Sequence, residues 1–377
     1  MIFDLGRLTH VQVNAIYDGM VCSKKNSRRW AGSSDQNVAI WLTIVALMVA
    51  SMVVIGGITR VTGSGLSMVE WRPLLGWLPP LDDREWERVF KLYQTSPEYR
   101  HVNAWMNIGD FKQIFWWEYI HRLWGRLIGL VFFLPFVFFT VTQSIKKELR
   151  IRIIVLFFLG GLQGGLGWWM VKSGLSVDPS VSQYRLATHL GVAFLILGLL
   201  IWTILDLVAH RQKIGSRLQF YQAVVVVGLV SLTVIGGALV AGLDAGLIYN
   251  TFPLMAGHIV PPDYGDLVPF WKNIFENTSA VQFNHRILAT FTAIAVVIFS
   301  VSFRSKKSEK FFMQPIYALL TVVTLQFSLG VLALINFVPV ELALAHQFGG
   351  LCLFGTSVWA LWSVSKGISL YRIAPAT

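Results

Sequence analysis

The chain has 377 residues, of which 55% are hydrophobic and 14% charged, with a mean hydropathy of +0.60. A soluble domain of this length cannot bury so large an apolar fraction, so the composition excludes a water-soluble globular protein and points to the bilayer as solvent. The formal net charge of +11 argues little for nucleic acid, because the basic residues follow the rhythm of apolar runs.

Residues 1–36 read as a polar tail carrying Lys24, Lys25, Arg28 and Arg29, with no early cleavable apolar run. A helix needs about 20 mainly apolar residues to cross a bilayer. The first such stretch is Val38–Thr59. The connection 60–118 is long and rich in Trp and Pro, and an amphipathic helix is predicted within it over Asp83–Gln94. It is either functional or an interfacial cap whose Trp71, Trp77, Trp86 and Trp105 sit in the aromatic belt. The next spans are Tyr119–Thr142, Ile151–Val171 and Tyr184–Val208, with Lys146, Lys147, Arg150 and Arg152 joining the second to the third. Arg211, Lys213 and Arg217 lead to the spans Ala223–Gly242 and Ile287–Phe303. Arg304, Lys306, Lys307 and Lys310 precede Phe311–Ile335, and Ala343–Ser363 is the last span before the tail 366–377. Every second connection is basic, which places these loops and both termini in the cytoplasm or matrix. The only cysteines, Cys22 in the inner tail and Cys352 in the last span, cannot meet in an oxidising outer loop, so no disulfide is expected.

The chain repeats itself. Val54-Ile55-Gly56-Gly57 has a counterpart in Val234-Ile235-Gly236-Gly237, and Leu162-Gln163 through Gly167 matches Leu325-Gln326 through Gly330. His121-Arg122 matches His285-Arg286, and Leu186-Ala187-Thr188-His189 matches Leu344-Ala345-His346. Two units, 37–208 and 218–365, hold four spans each. An even number makes the repeat parallel, with matching residues at one depth. The expected fold is therefore an all-α polytopic membrane protein whose eight transmembrane helices form two tandem pseudo-symmetric four-helix bundles.

His10, His210, His101 and His258 fall in tails or loops, but His121, His189, His285 and His346 begin the even-numbered spans, near the outer face. An ionisable residue within a bilayer needs a partner and marks function by default. Singly, each could be a neutral imidazole hydrogen-bonded to a neighbouring helix. Four in one layer, two per repeat, suit a pair of bis-histidine haem sites better, His121 with His189 and His285 with His346. Zinc ordinarily takes three or four ligands, with Cys or carboxylate added, and no such cluster is present in the sequence.

Glycines at 125, 129, 160, 161, 164, 165, 167, 191 and 198 either leave room for a macrocycle or serve close helix packing. Arg60, Arg122, Arg126, Arg185 and Arg286 near the outer ends are candidate propionate partners or snorkelling interfacial residues. Glu118 precedes His121 by one turn, whereas the second half has Gln282 at that place. The carboxylate is either a proton acceptor at one of the two sites or an interfacial residue paired with Arg122 or hydrated.

The runs Ile55-Gly56-Gly57-Ile58-Thr59-Arg60, Ser64-Gly65-Leu66-Ser67, Trp71-Arg72-Pro73, Tyr93-Gln94, Pro97-Glu98-Tyr99, Phe111-Lys112, Trp117 through Arg122 and Gly125-Arg126 resemble haem A synthase of the proteobacterial and mitochondrial type. The likeness continues through Tyr249-Asn250-Thr251-Phe252-Pro253, Pro261-Pro262 and Asn284-His285-Arg286 to Ala345-His346. The resemblance implies oxidation of the C8 methyl group of haem O to a formyl group, giving haem A for terminal oxidases. It implies haem b as cofactor on His285 and His346, substrate haem on His121 and His189, and an essential carboxylate at Glu118. Haem O synthase, terminal-oxidase assembly factors, an electron-transfer partner and a second copy of the chain are the candidate partners. The cysteine pair that some bacterial members carry in their outer loops is lacking here. The lack of an Arg/Ser-rich presequence favours a bacterial inner membrane over a mitochondrial one. Two other readings compete. A di-haem cytochrome b that only passes electrons leaves the Glu118/Gln282 difference unexplained, and a transporter leaves the histidine layer without a task.

Overall fold

The computed structural model describes residues 10–71, 76–176, 179–208, 216–303 and 313–365, with side chains from residue 35 onward. Arg72, Pro73, His210, Arg211, Lys213, Arg304, Lys306, Lys307, Lys310 and the tail 366–377 lie outside the described residues, as do the side chains of His10, Cys22, Lys24, Lys25, Arg28 and Arg29. The helices are α1 (His10–Val61), α2 (Asp83–Gln94), α3 (Pro97–His101), α4 (Ile108–Val141), α5 (Lys147–Gly174), α6 (Gln183–Val208), α7 (Arg217–Gly242), α8 (Thr278–Val301), α9 (Gln314–Ile335) and α10 (Val340–Ser365). Eight are long and apolar enough to cross a membrane: α4 to α10 and the Asp35–Val61 part of α1. They match the expected spans in number and order, and α2 has the bounds read from the sequence.

Two boundaries differ from expectation. The polar stretch ahead of the first span is helical from His10. Helix α4 starts at Ile108, about three turns ahead of the expected Tyr119. Its N-terminus is fixed by a capping box, in which the Asn107 side chain accepts from Gly109 N at 2.7 Å and Asp110 Oδ2 accepts from Asn107 N at 3.1 Å.

The N-terminal extension of α4 is one wall of a cap over one end of the first bundle. In α2, Trp86, Val89, Phe90 and Tyr93 recur at helical spacing, and they pack on Phe111, Ile114 and Phe115 of α4. Asp82 caps α2 by accepting from Glu85 N at 2.8 Å. Each large side chain buried in this cluster contributes about 1.5–3 kcal/mol relative to exposure to water. Of the four expected belt tryptophans, Trp86 is buried in the cap, whereas Trp71, Trp77 and Trp105 are exposed.

Inside the cap, Tyr93 Oη donates to Glu98 Oε2 at 3.0 Å and accepts from Asn103 Nδ2 at 2.7 Å. Burial pushes the Glu98 carboxyl up to about 7; the Tyr93 hydrogen bond opposes the rise and the charge of Glu118 adds to it. A carboxyl raised in the folded state stabilises the cap fully below its unfolded value of 4.5, and that stability is lost as pH rises through 7. The loss is on the order of 3 kcal/mol. The cap is therefore expected to become more sensitive to proteolysis as pH rises from 4.5 to about 7. Glu98→Gln, whose amide oxygen still accepts from Tyr93, should abolish that dependence; an unchanged pH profile would assign the loosening to another group.

The first bundle packs α1 on α4, α5 on α6 and α6 back on α1, and the second packs α7 on α8, α9 on α10 and α10 back on α7. They meet where α1 and α6 face α7 and α10. Lipid is as apolar as leucine, so helix association here rests on close packing and a few hydrogen bonds. Trp41 Nε1 and Trp124 Nε1 of the first bundle donate to the carbonyls of Val131 and Met48, at 2.8 and 2.9 Å. Between bundles, the rings of Phe194 and Phe354 meet edge-on with centroids 5.1 Å apart. At the end away from the cap the Asp206 carboxylate accepts from Arg152 at 2.6 Å and from Trp362 Nε1 at 2.9 Å, tying α5, α6 and α10 together.

Candidate functional site

One cavity of about 1480 Å³ runs through both bundles and is lined by His121, His189, His285 and His346. It is larger than the ~300–1,000 Å³ of an ordinary small-molecule pocket. The histidines stand on α4, α6, α8 and α10, the last three about two turns inside the outer end of their helix. Because α4 is prolonged into the cap, His121 lies deeper along its helix than the single turn expected.

Each imidazole rests on a glycine of the preceding spanning helix. An added Cβ would stand 3.3 Å from His121 at Gly56, 3.1 Å from His189 at Gly167, 3.2 Å from His285 at Gly237 and 2.8 Å from His346 at Gly330. A second duplicated contact fixes the later histidine of each half. Gln163 Nε2 donates to the His189 carbonyl, and Gln326 Nε2 to the His346 carbonyl, both at 2.9 Å. The rings of His121 and His189 lie within electrostatic reach of each other, as do those of His285 and His346. Among the described residues, no three His, Cys, Asp or Glu side chains gather closely enough to hold a metal ion together. The Nδ1 atoms of His189, His285 and His346 are buried without a hydrogen-bond partner, and Nδ1 of His121 is 3.3 Å from Thr59 Oγ1.

The N-terminal parts of α4 and α8 carry the same bracket with one change of polarity. Arg122 donates to the carbonyls of Met68 and Glu70 at 2.6 and 2.8 Å and to Glu118 Oε1 at 2.5 Å. Arg286 donates to the carbonyls of Tyr249 and Thr251 at 2.6 and 2.8 Å and to Gln282 Oε1 at 3.2 Å. Glu118, which is 3% exposed, also accepts from Met68 N at 2.6 Å and Ser67 Oγ at 2.8 Å. Gln282 instead donates its amide to the Tyr249 carbonyl at 3.1 Å. Glu118 is therefore ion-paired and buried rather than hydrated at the surface.

The remaining candidate arginines do different things. Arg60 crosses to the second bundle, donating to the Ala241 carbonyl at 2.6 Å and to Asp244 at 2.8 Å. Arg126 lies over the Trp77 ring at 5.9 Å, and Arg185 over Trp169 at 4.5 Å. Arg60, Arg122, Arg126 and Arg286 all line the cavity. Sequence reasoning did not assign the glycine seats, Ser67 or Gln347. Gln347 donates across the bundle interface to the Val53 carbonyl. Of the seats, Gly167 and Gly330 are matched positions of the repeat, whereas Gly56 aligns with Gly236, the neighbour of the seat Gly237, and Ser67 is part of Ser64-Gly65-Leu66-Ser67.

Fold and site together define a multi-pass membrane bundle of the duplicated, paired-histidine type, with a carboxylate at one pair and an amide at the other. Residues 39–358 match the COX15-CtaA family of cytochrome oxidase assembly proteins, and the chain belongs to it. It is 45% identical to a heme A synthase of Nitrosospira multiformis, covering 85% of this chain and 92% of that protein. It is 46% identical to a heme A synthase of Parvibaculum lavamentivorans, over 87% of this chain and 94% of the relative. A third heme A synthase, of Paramagnetospirillum magneticum, is 45% identical over 90% of this chain and 96% of its own length.

Proposed function

We propose that the protein is a haem A synthase, an oxidoreductase acting on a CH group that converts the C8 methyl of haem O to a formyl group. The membrane is the cell inner membrane with both termini cytoplasmic, or the mitochondrial inner membrane if the chain is eukaryotic. The observation that carries this reading is the duplicated histidine pair in one cavity, with an acid at one pair only. The site fits a haem on two counts: glycines flatten the wall behind each imidazole, and the Nδ1 of His189 is buried without a hydrogen-bond partner. An unpartnered buried polar atom costs about 1–3 kcal/mol and is kept where it serves a function.

His285 and His346 hold haem b, which when bound supplies one-electron redox capacity. His121 and His189 hold the substrate haem. Arg60, Arg122, Arg126 and Arg286 rim the cavity and receive propionates, with Arg122 and Arg286 also bracing the outer loops. Glu118 has three donors on about four acceptor positions, and its remaining lone pair, on Oε1, takes the proton released when the methyl group is oxidised. The apolar walls keep bulk water from that atom.

Co-expression with a haem O supply, followed by chromatography of the extracted haems, tests the reading. Haem A should appear. Haem b alone would identify an electron-passing cytochrome, and no haem at all a transporter. The seats offer a second test. In Gly330→Ala the new methyl would stand 2.8 Å from His346 Cε1, so the ring must move. The haem-to-protein ratio is expected to fall several-fold while the protein still accumulates; full haem occupancy would show that the seat does not set ring position.

A further inference from the structure

The loops that hold Glu118 and Gln282 align residue for residue. Arg122 donates to the carbonyls of Met68 and Glu70, and Arg286 to those of Tyr249 and Thr251, so Met68 matches Tyr249 and Glu70 matches Thr251. Ser67 then falls on Ile248, as Ser64-Gly65-Leu66 falls on Ala245-Gly246-Leu247. The first half thus has two carboxylates and a hydroxyl, Glu118, Glu70 and Ser67, where the second has the amide of Gln282, the hydroxyl of Thr251 and the hydrocarbon of Ile248. Both acids are replaced, and the side chain between them becomes apolar.

These groups stand on two sides of a partition. Glu118 lines the large cavity, whereas Ser67 and Glu70 line a second cavity of about 100 Å³ enclosed by α2, α4 and the loop between them. Arg122 and Arg126 line both. Ser67 Oγ bridges the partition: it donates to Glu118 Oε2 at 2.8 Å and has a second acceptor in the Ile114 carbonyl at 3.4 Å. At the far side Arg88 of α2 donates to both Glu70 and Glu85 at 2.7 to 3.1 Å. These three side chains are 36% to 38% exposed, so that end of the small cavity meets water. The volume has room for several waters, and the hydroxyl, carboxylates and guanidinium groups supply the two to four polar partners that each water needs. A loop brace alone requires none of this, because the second loop is braced through Tyr249, whose hydroxyl donates to Asp263 at 2.9 Å.

We propose that Ser67, the small cavity behind it and Glu70 form the outlet through which a proton accepted by Glu118 reaches water on the cap side. The proposal rests on the haem A synthase reading and deepens it. A serine hydroxyl has one proton to give and lone pairs to receive another, which suits it to pass a proton between Glu118 and a water. The Glu118 carboxyl turns so that its O–H points at Ser67 Oγ, while the Ser67 hydroxyl turns to a water of the small cavity. The Glu118 O–H bond breaks as a new O–H forms on Ser67, whose own proton passes to the water and on to the Glu70 carboxylate or bulk. Glu118 is left as a carboxylate, one proton has moved to solvent, and no electron has moved. An acid sealed between the large apolar cavity and the cap core needs such a path to act in more than one turnover.

The test uses purified full-length protein with its haem b in place, supplied with haem O in H2O and in D2O. Ser67→Ala should keep its haem content, lose about tenfold in haem A formation, less than loss of the acceptor itself would cost, and show a larger solvent isotope effect than wild type. A slower Ser67→Ala with the wild-type isotope effect would make Ser67 an anchor of Glu118 only and overturn the proposal. Glu70→Gln should also be slow, and should recover as acetate is raised at fixed pH, because a small buffer replaces the lost carboxylate. Arg88→Gln breaks the same ion pair but keeps that carboxylate, so it should show no acetate dependence. Equal losses in Glu70→Gln and Arg88→Gln without recovery would leave a loop brace and overturn the outlet; this pair decides alone should Ser67→Ala not accumulate. Water access is read without turnover: Ser67→Cys should react with iodoacetamide above the background of Cys22 and Cys352, and an unreactive thiol would count against the outlet. Failure of the underlying reading is a separate result, since wild type would then form no haem A at all.

Discussion

Glu118→Gln is expected to leave haem content unchanged and to lower haem A formation by about 10²–10⁴-fold, the usual worth of a positioned proton acceptor. Glu118 lines the cavity one turn from His121, and the matching position in the other half is Gln282. The substitution also has a structural cost. Ser67 and Met68 N donate to Oε2, and Arg122 donates to Oε1, so an amide turns an NH2 group toward one of these donors. Losing a charge-assisted hydrogen bond costs about 1.5–3 kcal/mol of local stability. Two measurements separate the effects. If the carboxylate is only an anchor, haem occupancy and cap protection against proteases should fall with activity. If it takes the proton, activity should fall by about 10²–10⁴-fold with haem occupancy unchanged, far more than the modest loosening of the cap that the lost hydrogen bond brings. A variant making haem A at more than roughly half the wild-type rate would rule out the proton-acceptor role, since even the weak end of general-base help is far larger.

His285→Ala or His346→Ala is expected to remove the tightly bound haem b and with it the low-spin absorption spectrum of the purified protein. A single axial imidazole rarely sustains that spectrum. The loss should be specific, because His121→Ala and His189→Ala affect the proposed substrate pair on the other bundle and should keep the haem b spectrum while losing haem A formation. Wild-type spectra in both second-bundle variants would sink the assignment of cofactor to that half.

The spans were readable because lipid demands long apolar runs, and α2 because its apolar residues recur with helical spacing above a capping Asp82. The start of α4 was not readable. Residues 108–118 mix Asp110, Lys112 and Glu118 with aromatics, a composition too polar for a span. Their helicity is fixed by the Asn107 cap and by packing against α2, which no local pattern shows. The histidines stood out because an ionisable side chain in an apolar run is costly. Their glycine seats were hidden within a stripe that served packing equally well, and only the approach of Gly56, Gly167, Gly237 and Gly330 to the rings tells seats from other glycines. Gln347 was unreadable for a different reason: its partner, the Val53 carbonyl, lies in the other half of the chain.

The bracket at the outer end of α4 and α8 bears on how the two halves diverged. In one half an acid accepts from a loop N–H; in the other an amide donates to a loop carbonyl. With these opposite peptide orientations, exchanging Glu for Gln in either half sets donor against donor or acceptor against acceptor in a buried place. Each loop thereby became the guardian of its own side chain. Specialisation of the halves would then behave as a ratchet, in which reversion needs a side chain and a backbone to change in one step.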